Sequence, residues 1–244
     1  MLVKALNPKG IFDRSDAKAR THEGITAENG LLWGENPPAF IAVKENGITY
    51  HINIAEGQKS GFYCDQRDNR KFLAEYTEGK NVLDCFSYSG GFSLNAFKNG
   101  ASSVTSVDSS ALAIETLKQN INLNNFDETK HIAIQSDVNK QLRQFSEEEK
   151  KFDVIVLDPP AFAKSIKSKH TATQAYKRLN IAGLKALAPK GILFTFSCSQ
   201  VIDDVLFYNT VAAAAIETGR TIRVLHKLTQ GPDHPTNIYH PEGH

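Results

Sequence analysis

From about residue 57 onwards, short apolar runs alternate regularly with stretches of helical periodicity. The apolar runs are NVLDCF, SVTSVD, HIAIQSD, FDVIVLDPP, GILFTFSCS and TIRVLHKL, and each has the length of a strand. Between them, a segment such as SSALAIETLKQNINLNN places Ile114, Leu117 and Ile121 on one helical face. This alternation predicts an α/β fold in which six strands form a mostly parallel, doubly wound sheet.

The beginning of the chain has a different character. Two β-rich runs, residues 40–43 and 48–54, flank Glu45-Asn46-Gly47, which is typical of a hairpin turn. We therefore expect a small β-rich domain over residues 1–56 and the α/β domain over residues 57–244. The chain ends before a seventh strand is visible, so we expect the last strand of the sheet to be missing.

The bulk composition fits one α/β domain with a small appendage, because 41% of the 244 residues are hydrophobic. No apolar run is long enough to cross a bilayer, and the N-terminus has no secretory signal, so we expect a cytoplasmic protein without a membrane partner. The three cysteines, Cys64, Cys85 and Cys198, form no CxxC pair, which argues against a structural zinc site or a disulfide framework.

The formal net charge is only +1, whereas dedicated nucleic-acid-binding proteins often carry a strong basic excess. One local basic cluster lies within FAKSIKSKHTATQAYKR and comprises Lys164, Lys167, Lys169, His170, Lys177 and Arg178. Such a run is also typical of a solvated loop and helix face. If the protein binds RNA, its affinity for RNA must therefore come from this local cluster or from another domain.

Acidic residues stand at the ends of three successive predicted strands, namely Asp84, Asp108 and Asp137. Ligands of open α/β sheets bind beyond the carboxyl ends of the strands. There Asp108 can accept hydrogen bonds from two ribose hydroxyls, and Asp137 can accept one from an adenine amino group. The alternatives are a helix-capping aspartate and a solvated loop aspartate.

The loop after Asp84 contains a glycine pair but not the GxGxxG fingerprint of dinucleotide sites. A pyrophosphate disfavours a neighbouring carboxylate, whereas a sulfonium ligand that carries an ammonium group favours Asp84. An adenosine ligand without phosphates fits best, so we predict S-adenosylmethionine as the cofactor. Its binding loop is predicted to include Ser87, Tyr88 and Gly90.

The fourth strand ends at Asp158, which we also expect to contact the cofactor, and Pro159 and Pro160 follow it. The prolines stiffen the loop, and Phe162 is suited to stack on a base, which contributes about 1–3 kcal/mol. The alternative is a structural Pro-Pro turn with a packed phenylalanine. The loop resembles the Asp/Asn-Pro-Pro-Phe/Tyr loop of amino-methylating enzymes, although an alanine intervenes. We predict that Pro159, Pro160, Phe162 and Lys164 bind the substrate.

Cys198 follows the fifth strand, beside the loop that carries Asp158. A thiolate there can add to carbon-6 of a pyrimidine, which makes carbon-5 nucleophilic enough to take a methyl group. Asp158 would then hydrogen-bond the ring nitrogen at position 3. Free cysteines are more often inert core residues, and we interpret Cys64 and Cys85 in that way.

Several segments resemble the ribosomal RNA large-subunit methyltransferases of the cytosine carbon-5 type, in the group that combines a PUA domain, a β-hairpin domain and a Rossmann-like methyltransferase domain. They span nearly the whole chain and include GIFDRSD, GLLWGENPP, GQKSGFYCDQRDNR, VLDCFSYSGGFSLNAFKNGASSVTSVDSS, LDPPAFAKS, SCS and HPEGH. The resemblance implies an RNA partner and a PUA domain that is absent from this chain, and it leaves a homodimer open. It also implies that Gln66 and Arg67 lie near the cofactor, with Arg67 pairing with its carboxylate or remaining an exposed helix charge.

Three functional hypotheses follow. The leading one is an RNA cytosine carbon-5 methyltransferase with Cys198 as nucleophile and Asp158 as the residue that orients the base. Because some members of the group methylate guanine, a guanine methyltransferase that needs no cysteine is the second. The third is a catalytically idle RNA-binding protein that keeps the fold, and the acids at three strand ends argue against it.

Overall fold

The computed structural model describes residues 1–15, 24, 29–55, 61–163 and 165–235. The chain divides into two compact units, of which the smaller comprises residues 1–43 and 50–63 and the larger comprises residues 44–49 and 64–244. The domain boundary predicted at residue 56 falls within residues 56–60, outside the described ranges.

The described residues before position 56 contain short strands and a short helix. The elements are α1 (Leu2–Leu6), β1 (Gly10–Asp13), β2 (Gly30–Gly34), β3 (Ile41–Glu45) and β4 (Ile48–Ile52). Strands β1 and β2 pair in antiparallel orientation, and β3 pairs with β4. Asn46 and Gly47 connect β3 to β4 with φ values of 51° and 71°. These positive angles are typical of the two-residue turn of a hairpin, so the predicted hairpin is confirmed.

The larger unit contains the alternating elements. In chain order they are α2 (Arg67–Ala74), β5 (Asn81–Cys85), α3 (Gly91–Lys98), β6 (Ser103–Asp108), α4 (Ala111–Leu123), β7 (His131–Gln135), α5 (Val138–Glu147), β8 (Phe152–Leu157), α6 (Lys169–Ala186), β9 (Leu187–Thr195) and α7 (Asp204–Glu217). Single 3-10 turns lie at Cys64–Gln66, Glu128–Lys130 and Ile166–Ser168. The strands form one five-stranded parallel sheet in the order β7-β6-β5-β8-β9. The predicted Rossmann-like α/β fold is confirmed.

The strand order reverses between β5 and β8. The chain first builds outwards from β5 to β7 and then returns to the other side of β5 with β8 and β9. Because crossovers between parallel strands are right-handed, this reversal puts helices on both faces of the sheet. Cys85 at the end of β5 pairs with Leu157 at the end of β8, so the two loops that follow start side by side. A ligand-binding crevice is expected at this point.

The core lies between the central strands and the helices that cover them. Leu83, Ile155 and Leu157 are completely buried, and Leu142 and Leu179 from helices α5 and α6 belong to the same apolar cluster. Burial of each such side chain stabilises the fold by about 1.5–3 kcal/mol. Among the described residues, no helix combines the length and the apolar character that a membrane crossing requires.

One sequence prediction needs correction. Residues 221–228, TIRVLHKL, form no strand, and their apolar side chains Ile222, Val224 and Leu225 are exposed. The alternating pattern is suited to a strand, but a strand also needs a hydrogen-bonded neighbour, and this segment has none in the sheet.

Candidate active site

Asp84 lies one residue before the end of β5 and is 1% exposed. Its Oδ2 accepts hydrogen bonds from the backbone N–H of Ser93 at 3.0 Å and from the Ser93 hydroxyl at 2.6 Å. Its Oδ1 has no hydrogen-bond partner among the described residues. Burial raises the pKa of Asp84 to about 7, the Ser93 hydrogen bonds oppose the shift, and the carboxylates of Asp158 and Asp108 add to it. A buried carboxylate oxygen of this kind favours a cationic hydrogen-bond donor.

The loop that follows β5 is tightly turned. Phe86 and Tyr88 have φ values of 62° and 46°, which are uncommon for residues other than glycine, and Gly90 has a φ of 90°. Gly90 N donates to the Ser87 carbonyl at 2.8 Å, and the Tyr88 N donates to Asp108 Oδ2 at 2.9 Å. Ser87 is buried, and its Oγ has no partner among the described residues. Strained backbone with unsatisfied polar atoms is a common feature of ligand-binding loops.

The other two strand-end acids are also held by backbone N–H groups. Asp108, the last residue of β6, accepts from Ser110 N as well as from Tyr88 N, each at 2.9 Å, and so joins the loops after β5 and β6. Asp137 follows β7, is exposed, and caps α5 by accepting from Lys140 N at 2.9 Å. Asp137 is therefore a helix cap, whereas the residue that caps α4 is Ser110 and not Asp108. Each carboxylate oxygen retains a further lone pair for a ligand.

The turn before α2 contacts the end of β8. Gln66 Nε2 donates to Asp158 Oδ1 at 3.1 Å, and Asn69 Nδ2 donates to Gln66 Oε1 at 2.7 Å. Gln66 therefore lies at the crevice, next to the strand end. The Arg67 guanidinium is engaged by Asp233 through two hydrogen bonds of 2.9 and 3.1 Å.

The ends of β8 and β9 bring Cys198 to the Asp158 loop. Leu157 pairs with Thr195, and the Phe196 N donates to the Leu157 carbonyl at 2.9 Å, which extends the pairing beyond the strands. The Cys198 thiol then lies 3.5 Å from the carbonyl oxygen of Pro159 and is exposed. The structure thus brings together two of the predicted regions that are 40 residues apart in sequence.

The three cysteines have different environments. Cys85 is buried in the core, and burial raises the pKa of its thiol well above the ordinary value, which disfavours the nucleophilic thiolate. Cys64 is exposed, and it precedes Gln66 in the 3-10 turn. Cys198 combines exposure with a place beside the Asp158 loop.

A buried tyrosine that we did not predict joins the two chemistry-bearing loops. Tyr176 on α6 is completely buried, and its hydroxyl lies 2.9 Å from the Oγ of Ser199, the neighbour of Cys198. Ser199 Oγ also accepts from the backbone N–H of Ala163 at 3.3 Å. The rings of Tyr176 and Phe162 pack with their centroids 4.7 Å apart. Phe162 is therefore partly packed inside the protein, as expected if it is a structural residue of the Pro-Pro turn.

The basic cluster is partly neutralised in the structure. Lys169 pairs with Asp203 at 3.6 Å, and Lys177 pairs with Glu217 at 2.6 Å. The side chains of Lys167, His170 and Arg178 are exposed. Lys164 lies outside the described residues. Of the two prolines after Asp158, the first is buried and the second is exposed.

A further polar feature missed by sequence analysis lies behind Asp84. The Ser93 Oγ is 2.7 Å from the Oγ of Ser106 on β6, and Ser106 Oγ is 2.9 Å from the Nε2 of His131 at the start of β7. Ser93 and Ser106 are completely buried. The only sequence signal is the polarity of Ser106 within a buried strand, and that signal does not reveal its partners.

The match to a protein family decides the class of the protein. A family model described as S-adenosylmethionine-dependent methyltransferase matches residues 26–238. The chain belongs to this family. The fold is similar to the crystal structure of a protein that is provisionally described as a methyltransferase and is complexed with SAH. The TM-score is 0.78 and the sequence identity is 25%, and the match covers 88% of this chain and 56% of that one.

Curated relatives of this methyltransferase carry a more specific name. The present chain is 43% identical over 242 residues to the ribosomal RNA large subunit methyltransferase I of Aeromonas salmonicida, and the match covers 99% of this chain and 61% of that protein. It is 41% identical over 244 residues to the protein of the same name from Vibrio vulnificus, covering 99% of this chain and 62% of that protein. The chain therefore spans about three fifths of the length of these relatives.

Two polar groups at the end of β5 and in the loop after it fit the cofactor that defines the family. S-adenosylmethionine has an ammonium group that donates hydrogen bonds, and Asp84 Oδ1 is a buried acceptor without a partner among the described residues. The orphaned Ser87 Oγ lies in the same loop and can donate or accept. The chemistry of these groups suits a small zwitterionic ligand.

Proposed function

We propose that this methyltransferase modifies carbon-5 of a cytosine in large-subunit ribosomal RNA through a covalent adduct with Cys198. The observation that carries the proposal is the position of the exposed Cys198 thiol, 3.5 Å from the carbonyl oxygen of Pro159, next to Asp158. A pyrimidine that lies over this loop has a nucleophile at one edge and a carboxyl group at another. The names of the relatives support ribosomal RNA as the substrate.

The cofactor is proposed to lie along the ends of β5, β6 and β7. S-adenosylmethionine supplies an electrophilic methyl group when it is bound. In the proposed arrangement Asp84 Oδ1 accepts from the ammonium group, Asp108 accepts from the ribose hydroxyls and Asp137 accepts from the adenine amino group. The loop residues Ser87, Tyr88 and Gly90 line the same site, and Arg67 pairs with the cofactor carboxylate in exchange for Asp233.

The proposed catalytic steps begin with the thiolate of Cys198. Its sulfur forms a bond to carbon-6 of cytosine while the double bond between carbon-5 and carbon-6 opens, and Asp158 in its protonated form donates a hydrogen bond to ring nitrogen 3, where negative charge accumulates. Carbon-5 then forms a bond to the methyl carbon as the bond between that carbon and the sulfonium sulfur breaks. Transfer of the carbon-5 proton to solvent restores the double bond and releases the thiolate from carbon-6.

The substrate side of the crevice is proposed to comprise the loop after β8 and the start of α6. Pro159, Pro160 and Phe162 flank the base, and Lys164 together with the exposed basic residues of α6 contacts RNA phosphates. In this organisation residues 57–244 form the methyltransferase domain, and residues 1–56 form the β-rich part that precedes it.

Covalent trapping tests the proposal directly. RNA that contains 5-fluorocytosine cannot lose a proton from carbon-5 after methylation, so the adduct with Cys198 persists. We expect a protein–RNA band that survives denaturation and requires S-adenosylmethionine, and peptide mass spectrometry should place the RNA on Cys198. Cys198→Ala should abolish the band, whereas Cys64→Ala, which removes another exposed thiol, should retain it.

The outcomes of the trapping experiment separate the three hypotheses. Methylation of guanine without a trapped adduct would contradict the cysteine mechanism and favour the guanine methyltransferase. Absence of both methyl transfer and cofactor binding, in a protein that binds RNA, would favour the catalytically idle RNA-binding protein.

A further inference from the structure

Behind Asp84 lies a continuous series of side-chain hydrogen bonds, which is buried at Ser93 and Ser106 and half-buried at His131. It runs from His131 Nε2 to Ser106 Oγ over 2.9 Å, from there to Ser93 Oγ over 2.7 Å, and on to Asp84 Oδ2 over 2.6 Å. It crosses from the start of β7 through β6 and α3 to the end of β5. The proposed cofactor contact, Asp84 Oδ1, is the free end of the chain.

The direction of every hydrogen bond in this chain follows from simple counting. Asp84 Oδ2 already accepts the backbone N–H of Ser93, so the Ser93 hydroxyl donates its single proton to the same oxygen. Ser93 Oγ must then accept from the Ser106 hydroxyl, and Ser106 Oγ must accept from His131. His131 therefore carries a proton on Nε2 and is the terminal donor.

The surroundings of His131 are consistent with a neutral ring whose only proton is on Nε2. Burial lowers the pKa of His131 to about 4, and the nearby Lys118 ammonium lowers it further. The ring packs edge-on against Phe97, with the centroids 5.8 Å apart. This packing fixes the ring plane, and the hydrogen bond to Ser106 fixes which nitrogen carries the proton.

We propose that His131 is a positioning residue for the cofactor site: it polarises the two serine hydroxyls towards Asp84 and so holds the carboxylate with Oδ1 turned to the ligand. The inference rests on the proposed cofactor role of Asp84. Donors that point one way along a buried chain strengthen one another. Loss of the terminal donor frees Ser106 and Ser93 to reverse, which removes the strongest support of the carboxylate.

The first test needs no substitution near Asp84. Nitrogen-15 NMR of the imidazole rings distinguishes a protonated Nε2 from a protonated Nδ1, and the spectrum of His131→Gln assigns the His131 signals. We expect the Nε2–H form of His131 at pH 7 with and without SAH. A proton on Nδ1 alone would overturn the inference, because His131 could not then donate to Ser106.

The second test measures the dissociation constant of SAH by calorimetry. His131→Leu removes the donor and should weaken binding roughly tenfold, which corresponds to the loss of about one hydrogen bond to a charged group. His131→Gln, whose amide N–H can replace Nε2–H, should stay within about twofold of the parent. His226→Leu, which alters an exposed histidine, serves as the matched control and should leave the affinity unchanged.

A double-mutant cycle tests whether the chain acts as a unit. Ser106→Ala should weaken SAH binding as much as His131→Leu does. The double variant should bind SAH no more weakly than either single variant, because each substitution alone already interrupts the series of hydrogen bonds. Additive effects would overturn the inference. Ser106→Ala and the NMR measurement also decide the question if His131→Leu fails to fold, which thermal unfolding detects.

Asp84→Asn separates failure of this inference from failure of the proposed site. If Asp84→Asn leaves SAH affinity unchanged, the proposed cofactor role of Asp84 is wrong. If Asp84→Asn weakens binding but His131→Leu does not, only the positioning role of His131 is wrong. If Asp84 binds the cofactor and His131 positions Asp84, adding His131→Leu to Asp84→Asn should not weaken SAH binding further.

Discussion

The two sides of the crevice are held in place by different kinds of contact. On the cofactor side, which comprises the loops after β5, β6 and β7, each acid accepts at least one backbone N–H: Asp84 from Ser93, Asp108 from Tyr88 and Ser110, and Asp137 from Lys140. On the chemistry side, which comprises the loops after β8 and β9, side chains of other elements make two of the contacts: Tyr176 on α6 reaches Ser199, and Gln66 in the turn before α2 reaches Asp158.

This difference has a functional consequence. Backbone donors are fixed by the fold, so the cofactor side is organised as soon as the sheet and its helices form. The chemistry side depends on a few side chains from α6 and from the turn before α2, and Cys198 is exposed there. Substitutions on the chemistry side should therefore impair methyl transfer while cofactor affinity and stability stay nearly unchanged.

The largest expected effect comes from Cys198→Ala. Loss of the proposed nucleophile should lower the rate of methyl transfer to a large-subunit ribosomal RNA transcript by about 10³-fold or more, while the SAH dissociation constant changes by less than about twofold. Asp108→Asn should show the opposite pattern, with weaker SAH binding. Tritiated methyl transfer and calorimetry measure the two quantities. A parent-like rate in Cys198→Ala would exclude the covalent mechanism.

Gly90→Ala tests whether the loop on the cofactor side contributes to the stability of the fold. A Cβ at Gly90, where φ is 90°, would lie 2.5 Å from Leu94 Cδ1 and 2.9 Å from Leu117 Cγ. Backbone strain and overpacking together should lower the free energy of unfolding by about 2–4 kcal/mol. Gly219→Ala is the matched control, since it has a φ of 66° and no atom within 4 Å of the added Cβ. If urea unfolding showed the same loss of unfolding free energy in both variants, crowding around Gly90 would not contribute to the destabilisation.

Tyr176→Phe tests the contact that joins the chemistry-side loops. Removing the hydroxyl leaves Ser199 without its 2.9 Å partner, and a small displacement of Cys198 should lower kcat roughly tenfold with little change in SAH affinity. The exposed Tyr208 on α7 provides the control substitution Tyr208→Phe. Single-turnover kinetics would reveal the loss, and an unchanged kcat would show that the Ser199 contact does not position Cys198.

The smallest effect concerns pH and the cofactor side alone. The pKa of Asp84 is raised to about 7, so the carboxylate fraction rises about threefold between pH 6.5 and 7.5, and SAH affinity should rise with it. Folded protein binds this proton more tightly than unfolded protein does, so the contribution of Asp84 to stability falls as pH rises from about 4 to about 7. Calorimetry at a series of pH values measures the affinity. If SAH affinity depended on pH in the same way in Asp84→Asn, a group other than Asp84 would be responsible for the pH dependence.

The sequence by itself determined the class of fold and the strand ends that carry polar groups. Strand–helix alternation needs only local periodicity, and the acids Asp84, Asp108 and Asp158 follow directly from where the apolar runs stop. Cys198 was also predictable beside Asp158, because neighbouring parallel strands end at the same edge of the sheet. The hairpin turn at Asn46-Gly47 is a local signal of the same kind.

Only the tertiary structure decided which polar groups contact one another. Nothing in the local sequence links His131 to Ser106 or Tyr176 to Ser199, since these pairs meet only after the sheet and α6 have assembled. The strand predicted at residues 221–228 failed for the same reason, because strand formation depends on a neighbour that local periodicity does not specify. Periodicity is a property of a segment, whereas hydrogen-bond pairing is a property of the folded chain.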